Sequence, residues 1–556
     1  MTNYAIGLDF GTESARGLLV DLQTGKEVAT EVFDYPHGVI DEALPEGGVR
    51  LEPDWALQHP GDYVEALRVL PPALLKLAGA DPDDVVGIGV DFTSCTILPA
   101  KKDGTPLCLK DEFKTNPHSW VKLWKHHSPQ PEADRITAVA KQRSEPFLAR
   151  YGGAISSEWF FPKALEILND APDIYDAADI ILEGGDWITL KLTTKDVRNA
   201  TAAGYKALWE KSSGFPGNDF FKAVHPRLEN IVEEKMSSDI RAPSAHAGEL
   251  TREMAKLMGL RHGIAVGVPS IDAHAAVAGA GIVTPGRMLL VLGTSLCHMV
   301  LGSELHLVEG MCGVVEDGII PGFYGYEAGQ AGGGDMYAWL MDNAVPPAYH
   351  QEAKKQGLDV YSLMEKKAAA LKPGESGLLI LDWWNGVRLL VDSDLTGLVL
   401  GYNLTTSPEH VYRAMIEATA FGTRKIIERL RDGGVPIHEI VACGGLATKN
   451  KLLMQIFSDV LKTKMTVAGS DQAAALGAAI YGAVAAGKEA GGFADISAAA
   501  KKMTSLKDET YQPIQQNARI YDDLYREYDV LFDHFGTGGN NVMKTLKSIR
   551  SKAIKP

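Results

Sequence analysis

Two Gly-Thr turns, each set in an apolar hairpin, are the residues in this chain best suited to chemistry. In the first, Ile6-Gly7-Leu8-Asp9-Phe10 runs into Gly11-Thr12-Glu13 and returns through Ala15 to Asp21. In the second, Met288-Leu289-Leu290-Val291-Leu292 runs into Gly293-Thr294-Ser295 and returns through Leu296 to Val300. Glycine lets backbone approach a ligand, and threonine sets a hydroxyl beside exposed N–H groups, a pairing that suits phosphate. Either turn alone reads as an ordinary tight hairpin. Two of them facing one cleft would hold both sides of a polyphosphate. A third glycine-rich segment, Cys443-Gly444-Gly445-Leu446-Ala447-Thr448-Lys449-Asn450, joins a strand to a helix. The free N–H groups of a helix start favour an anion there. With the two turns it forms the third wall of an ATP site.

Three acids accompany these loops. Asp9 ends the first strand and points away from Ile6, Leu8 and Phe10. A carboxylate there suits Mg²⁺ held through water, or it caps the turn. Asp272 lies in Val268-Pro269-Ser270-Ile271-Asp272-Ala273-His274-Ala275-Ala276, a run with almost no other charge. A lone acid among small apolar residues needs a partner or a task. General base for a sugar hydroxyl is such a task, and helix N-cap is another; the two are compatible. Glu327, in Gly325-Tyr326-Glu327-Ala328-Gly329-Gln330, can bind a hydroxyl or cap the next helix. His118, His126 and His127 lack a matching carboxylate or cysteine set and are expected to be solvated loop residues.

Other chemistries find little support. The Walker-like Gly482-Ala483-Val484-Ala485-Ala486-Gly487-Lys488-Glu489 lacks the Ser or Thr that ligates magnesium and lies late in an Ala-rich helix. No dinucleotide fingerprint follows a strand, and no GxSxG elbow is present.

The elements that must position these residues alternate between strands and helices. Residues 4–21 form a period-two hairpin, and Val85 to Phe92 is a buried strand ending in Thr93-Ser94-Cys95. Trp55 to Leu75 has helical spacing. Pro408 to Arg431 is a helix, capped by Ser407, opened by Pro408 and ended by Gly433-Gly434. Glu439 to Ala442 is a short strand. The low-polarity run Ala473 to Gly487 is too weakly apolar to span a bilayer and reads as a small-residue helix packed closely on a sheet. Thr284-Pro285-Gly286 breaks the chain before the second Gly-Thr hairpin, dividing it into 1–284 and 285–490. Residues 491–556 are expected to form a helical tail packed on the core. Two related halves, each opening with a phosphate-type hairpin, predict duplicated α/β domains facing a cleft.

Composition sets the outer bounds. The chain has 556 residues, enough for two to four domains of about 150 residues. With 55 Lys+Arg against 71 Asp+Glu the net charge is −16, which argues against nucleic acid or an anionic membrane as partner. Five cysteines (Cys95, Cys108, Cys297, Cys312, Cys443) with no CxxC make neither a disulfide framework nor a zinc finger, and suit a reducing cytoplasm. Met1-Thr2-Asn3-Tyr4, with no basic region followed by an apolar core, is not expected to open a secretory signal.

Asp9-Phe10-Gly11-Thr12, Asp272-Ala273-His274, Gly293-Thr294-Ser295 and Gly444-Gly445-Leu446 together resemble the FGGY carbohydrate kinases, of the actin-like, hexokinase-type ATPases. Gly397-Leu398-Val399-Leu400-Gly401 with His410-Val411 and Ala414-Met415-Ile416-Glu417 looks like the family's C-terminal pattern. Pro162-Lys163 stands where an N-terminal pattern would, without its usual tryptophan. The resemblance covers nearly the whole chain. Asp91-Phe92-Thr93-Ser94-Cys95-Thr96, Asn116 to His127, Ser156-Ser157-Glu158-Trp159, Ala203 to Ala207, Glu309 to Gly318 and Asp382 to Gly386 are similar to the family branch that acts on L-ribulose.

The resemblance implies two ribonuclease-H-like domains, the N-terminal one binding sugar and the C-terminal one nucleotide. It implies ATP-dependent phosphorylation, with Mg²⁺, of the C5 hydroxyl of L-ribulose, a step in L-arabinose use. By the same resemblance Asp272 is the general base, and Ser94, Lys206 and Glu327 contact the sugar with it. Gly11, Thr12, Glu13, Gly293, Thr294, Gly334, Gly444 and Gly445 line the nucleotide, and Asp9 serves the metal. Several relatives carry Asn at the position of Lys449, which leaves an adenine contact there open. The partners implied are the sugar and ATP, with room for a homo-oligomer. Rival readings are another pentulose or polyol kinase such as a xylulokinase, an actin-like ATPase without sugar chemistry, and a sugar-binding regulator.

Overall fold

The structure is a computed structural model that describes residues 3–554. Two seven-stranded sheets share one pairing plan. In the first, the antiparallel hairpin of Tyr4–Phe10 and Ser14–Asp21 takes Glu27–Asp34 on one side. On the other side it takes parallel Val85–Phe92 and Ala265–Gly267, then antiparallel His246–Glu249. Ser270–Ile271 joins the end of Val85–Phe92. In the second, the hairpin of Gly286–Leu292 and Leu296–Gly302 takes Tyr324–Gln330 on one side. On the other it takes parallel Ile437–Cys443 and Met465–Ala468, then antiparallel Leu506–Tyr511. Gly313–Glu316 extends the second sheet beyond the plan. The duplication is faint in residue identity and plain in strand order. Pairing asks only for apolar alternation, which many residues satisfy.

Helices follow their local signals. Pro408–Asp432 starts at a capping box of Ser407 with His410 and packs on the second sheet through Met415, Ala418 and Phe421. The helix expected over Trp55–Leu75 runs instead from Pro60 to Ala78, because Pro60 opens it and His59 Nδ1 accepts from Gly61 N–H. The tail differs from expectation in one element. Residues 491–556 were expected to be helical, yet Leu506–Tyr511 is an edge strand between the helices Ile496–Met503 and Gln515–Gly536. That strand is mostly solvent-exposed, so it carries no period-two pattern and is held by pairing with Met465–Ala468.

The helix Ala473–Ala486 belongs by sequence to the second half but lies on the first sheet. A side chain at Gly7 would run into the Ala475 carbonyl, and one at Gly89 into the Ala478 carbonyl. Gly482 sits inside this helix against Gly89 and Ile88, so the Walker-like run is a packing surface. The helix Asp272–Gly279 crosses it at equally close range: a side chain at Gly279 would meet the Ala473 carbonyl, and one at Gly477 the Ala275 carbonyl. Ala275 and Ala276 share a core with Leu289, Met299 and Val441 of the second sheet. Among the described residues no helix is long and apolar enough to cross a membrane.

Candidate active site

Strand register gathers three carboxylates. Asp9 pairs across the parallel ladder with Asp91, and Asp91 pairs with Ser270, two residues before Asp272. Asp9 is buried, with Arg16 Nη1 3.3 Å from its Oδ2. Asp91 is fully buried and no hydrogen-bond donor reaches either of its oxygens. Burial, then the Asp9 carboxylate beside it, push the Asp91 pKa well above the ordinary range. Asp272 opens the helix Asp272–Gly279 and its Oδ1 accepts from Ala273 N–H at 2.6 Å. Burial and Asp9 push it up to about 7. Asp9 and Asp91, with both Asp91 oxygens unsatisfied, offer carboxylate oxygens of the kind a hard dication such as Mg²⁺ takes.

Beside the acids lies an ion pair from both halves. Lys206 ends the helix Ala200–Lys206, and its Nζ donates to Glu327 Oε1 at 2.9 Å and Oε2 at 3.0 Å. Burial works against both charges, but each outweighs it for the other. Glu327 is held far below the usual carboxylate range and Lys206 above the usual ammonium range. His274 Nε2 stands 3.3 Å from Glu327 Oε2, and its ring stacks on Tyr205 with centroids 4.4 Å apart. Ser94 lies on the turn after Val85–Phe92, its Oγ 3.0 Å from Cys95 Sγ. Cys95 takes φ 57°, a strained value for a side-chain-bearing residue. Lys163 Nζ holds that turn by donating to the Cys95 and Leu123 carbonyls at 2.6 and 2.8 Å. So Lys163, in the segment where the family's N-terminal pattern is incomplete, buttresses Ser94.

The glycine segments lie at the ends of the two hairpins and of the strand Ile437–Cys443. Gly11 N–H donates to Ser14 O at 2.9 Å, closing the first turn. Thr12 is fixed from two sides: Trp124 Nε1 donates to its Oγ1 at 3.0 Å and Gln58 Nε2 to its carbonyl at 2.7 Å. Glu13 is exposed at the tip. In the second half, Gly334 N–H donates to Gly293 O at 3.0 Å and Asp335 N–H to Thr294 O at 3.3 Å. Gly444 has φ 94°, and a Cβ there would stand 2.6 Å from Leu292 O, so glycine is needed for the fold itself. Gly445 meets nothing within 4 Å, and Gly293 meets only Ser295 O at 3.6 Å. Both face open space. The sites named from sequence thus fall into two groups. Ser94, Lys206, Asp272 and Glu327 lie around the acids; Gly293, Thr294, Gly334, Gly444 and Gly445 meet at the end of the second sheet.

The histidine expectation is corrected in part. His127 is exposed, but His118 and His126 are buried. His126 Nε2 lies 3.0 Å from Glu166 Oε2, which also pairs with buried Lys122 at 2.7 Å, and Trp55 covers Lys122 at 4.2 Å. Burial, then Lys122, push His126 down to about 3, so it is neutral. Trp55 and Glu166 are too far along the chain for the local segment to announce them. Sequence reasoning also left Asp91, Arg16 and His274 without roles, and gave Trp124 only a fallback place in the sugar pocket. Asp91 had a signal: Gly89-Val90-Asp91 repeats the spacing of Gly7-Leu8-Asp9 on the neighbouring strand.

Comparison with known proteins follows the same division. The FGGY family of carbohydrate kinases matches through its N-terminal domain over residues 4–279 and its C-terminal domain over residues 288–486. The chain belongs to the FGGY family of carbohydrate kinases. It is 56% identical to a ribulokinase of Geobacillus thermodenitrificans, covering 99% of this chain and 98% of that one. It is 46% identical to a ribulokinase of Mycolicibacterium smegmatis over 99% and 97% of the two chains. Among solved structures, xylulose kinase from Rhodospirillum rubrum superposes with a TM-score of 0.77 at 23% identity, covering 95% and 98% of the two chains. Plasmodium falciparum glycerol kinase with ADP gives 0.72 at 17% identity, covering 95% and 98%. These structures share the FGGY two-domain fold.

Proposed function

We propose that this protein transfers the γ-phosphoryl group of ATP to the C5 hydroxyl of L-ribulose, giving L-ribulose 5-phosphate, with Asp272 as general base. The observation that carries the chemistry is Asp272 itself, a half-buried carboxylate pushed up to about 7 between the Lys206–Glu327 pair and Asp9. The choice of sugar rests on near-full-length identity with ribulokinases.

The parts follow from phosphoryl-transfer chemistry, which asks for positioning, charge stabilisation and a proton path. Asp272 accepts the proton as the C5 oxygen attacks, and a pKa near 7 suits a base at neutral pH. Ser94, Lys206 and Glu327 bind sugar hydroxyls. Gly11, Thr12, Glu13, Gly293, Thr294, Gly334, Gly444 and Gly445 line ATP, with adenosine on the C-terminal half. Asp9, with Asp91 behind it, would hold Mg²⁺, which when bound neutralises phosphate oxygens. Closure of residues 285–490 on 1–284 excludes water from the γ-phosphate. The setting is cytoplasmic L-arabinose use.

The test is ADP release with Mg-ATP over L-ribulose, D-ribulose, D-xylulose and glycerol. L-ribulose is expected to give the highest kcat/KM. Preference for D-xylulose or glycerol would move the protein elsewhere in its family. ADP release indifferent to every sugar would favour an actin-like ATPase.

A further inference from the structure

The proposed reaction leaves Arg388, a charged side chain at the cleft, without a task. Arg388 opens the short turn Arg388–Leu390, just after Asp382-Trp383-Trp384-Asn385-Gly386. It lies along Gly329, where a built Cβ would stand 3.0 Å from Arg388 Nη1 and 3.4 Å from its Cδ. Gly329 pairs with Cys297, so the guanidinium covers the sheet face on which Cys297 lies. Strand alternation puts Glu327, two residues back, on that same face about 7 Å away. In the other direction the sheet ends almost at once. Leu296 pairs with Gln330, and the Gly293-Thr294 turn tied to Gly334 comes next. Arg388 therefore stands between the sugar contacts and the nucleotide turn.

Its surroundings are unlike those of a structural arginine. The nearest acids are Glu158, from the first half, and Glu327, from the second; Cys297 and Cys312 complete the set. Glu327 is already engaged by Lys206 and approached by His274. Among the described residues no ion pair or side-chain hydrogen bond engages the Arg388 guanidinium. By contrast, buried Arg413 is fully occupied by Glu417, Tyr521 and the carbonyls of Ala368 and Leu371. A half-buried guanidinium without a partner is an anion receptor in waiting, and its planar fork fits two oxygens of one phosphate. Gly329 is what leaves room for it.

We propose that Arg388 binds the equatorial oxygens of the phosphoryl group in flight, supplying positive charge from the second half as the transfer occurs. This rests on the kinase reading. The bond from the γ-phosphorus to the β–γ bridging oxygen breaks, its electron pair leaving with ADP. The bond to the C5 oxygen forms, and the proton goes to Asp272. Arg388 neither gains nor loses a proton. A charge that acts mainly on the transition state changes kcat and leaves ground-state binding nearly untouched.

The experiment compares wild type with Arg388→Ala and Arg388→Lys, using steady-state kinetics and calorimetric binding of L-ribulose and of ADP. Removing one transition-state donor is expected to lower kcat by about 10²–10³. Both dissociation constants are expected to stay within about threefold, and free guanidinium to restore part of the kcat of Arg388→Ala. Arg388→Lys keeps the charge but not the fork, so it is expected to fall between the two and stands in if the alanine variant does not fold. A kcat within about threefold of wild type overturns the proposal. So does a loss of sugar affinity that accounts for the whole loss of kcat/KM, which would make Arg388 a sugar ligand. The wild-type control separates this from the choice of sugar: if wild type uses another sugar, the variants are measured with that one, and the expected kcat effect is unchanged.

Discussion

The two Gly-Thr turns begin from the same hairpin and end in opposite surroundings. Around Gly11-Thr12 the neighbouring strands bring carboxylates: Asp9, Asp91 and, one connection later, Asp272. Around Gly293-Thr294 they bring backbone: Gly334, and Gly444 pressed on Leu292. Where the first ladder pairs Asp9 with Asp91, the second pairs Val291 with Cys443. On one scaffold a few side chains place carboxylates, and in the proposed reaction these serve proton and metal chemistry while the other scaffold holds nucleotide.

The sharpest way to break this comparison is Asp272→Asn. It is expected to fold and to bind L-ribulose nearly as wild type, while kcat falls by roughly 10²–10⁴. Turnover close to wild type in the purified variant would remove Asp272 from the chemistry. Gly293→Val probes the other turn. Gly293 has no positive φ and faces open space, so the variant is expected to fold and yet obstruct phosphate approach. ADP affinity is expected to drop by about 10², some 2.7 kcal/mol, with L-ribulose affinity within about threefold. Equal loss of both in calorimetry would make the turn a structural element only. Lys206→Ala and Glu327→Ala are expected to lower kcat/KM for L-ribulose at least about tenfold, or 1.4 kcal/mol, and to change the KM for ATP much less. Wild-type behaviour of both would move the sugar pocket towards Trp124, since Trp120 is fully buried.

The smallest effect is in pH dependence. Because Asp272 must be ionised and titrates at about 7, kcat/KM is expected to fall on the acid side of pH 7 with unit slope. Stability runs the other way. A carboxyl whose folded pKa is raised binds a proton that the unfolded chain has lost between pH 4 and 7. Its favourable contribution is present in acid and lost as pH rises through about 7, and Asp91 acts in the same direction. Asp272→Asn is expected to weaken this pH dependence of the melting temperature; an unchanged profile would show that Asp272 titrates near the ordinary range.

What could be read from sequence was what local chemistry dictates. Ser407-Pro408 and Gly433-Gly434 delimit a helix wherever it packs, and a lone acid in Ile271-Asp272-Ala273 declares itself without a partner in view. The rest depended on distant partners. His126 reads as solvated until Glu166 and Trp55 close over its neighbourhood. Leu506–Tyr511 is a strand only because Met465–Ala468 offers an edge. The small residues of Ala473–Ala486 showed a close-packed helix but not that its sheet belongs to the other half. Arg388 gave no local signal, since its place depends on the distant Gly329, whose missing side chain leaves room for it.

The crossing of Asp272–Gly279 over Ala473–Ala486 has a mechanical consequence. Backbone touches backbone there through Gly279 and Gly477, so no interlocked side chains must unlatch for one helix to turn on the other. Such a contact can act as a pivot, and Asp272 is the tip of the arm that extends three residues, about 4.5 Å at 1.5 Å per residue, beyond Ala275. A swing of about 20° there carries the start of the helix roughly 1.5 Å, the difference between a base at hydrogen-bond reach of its hydroxyl and one that is idle.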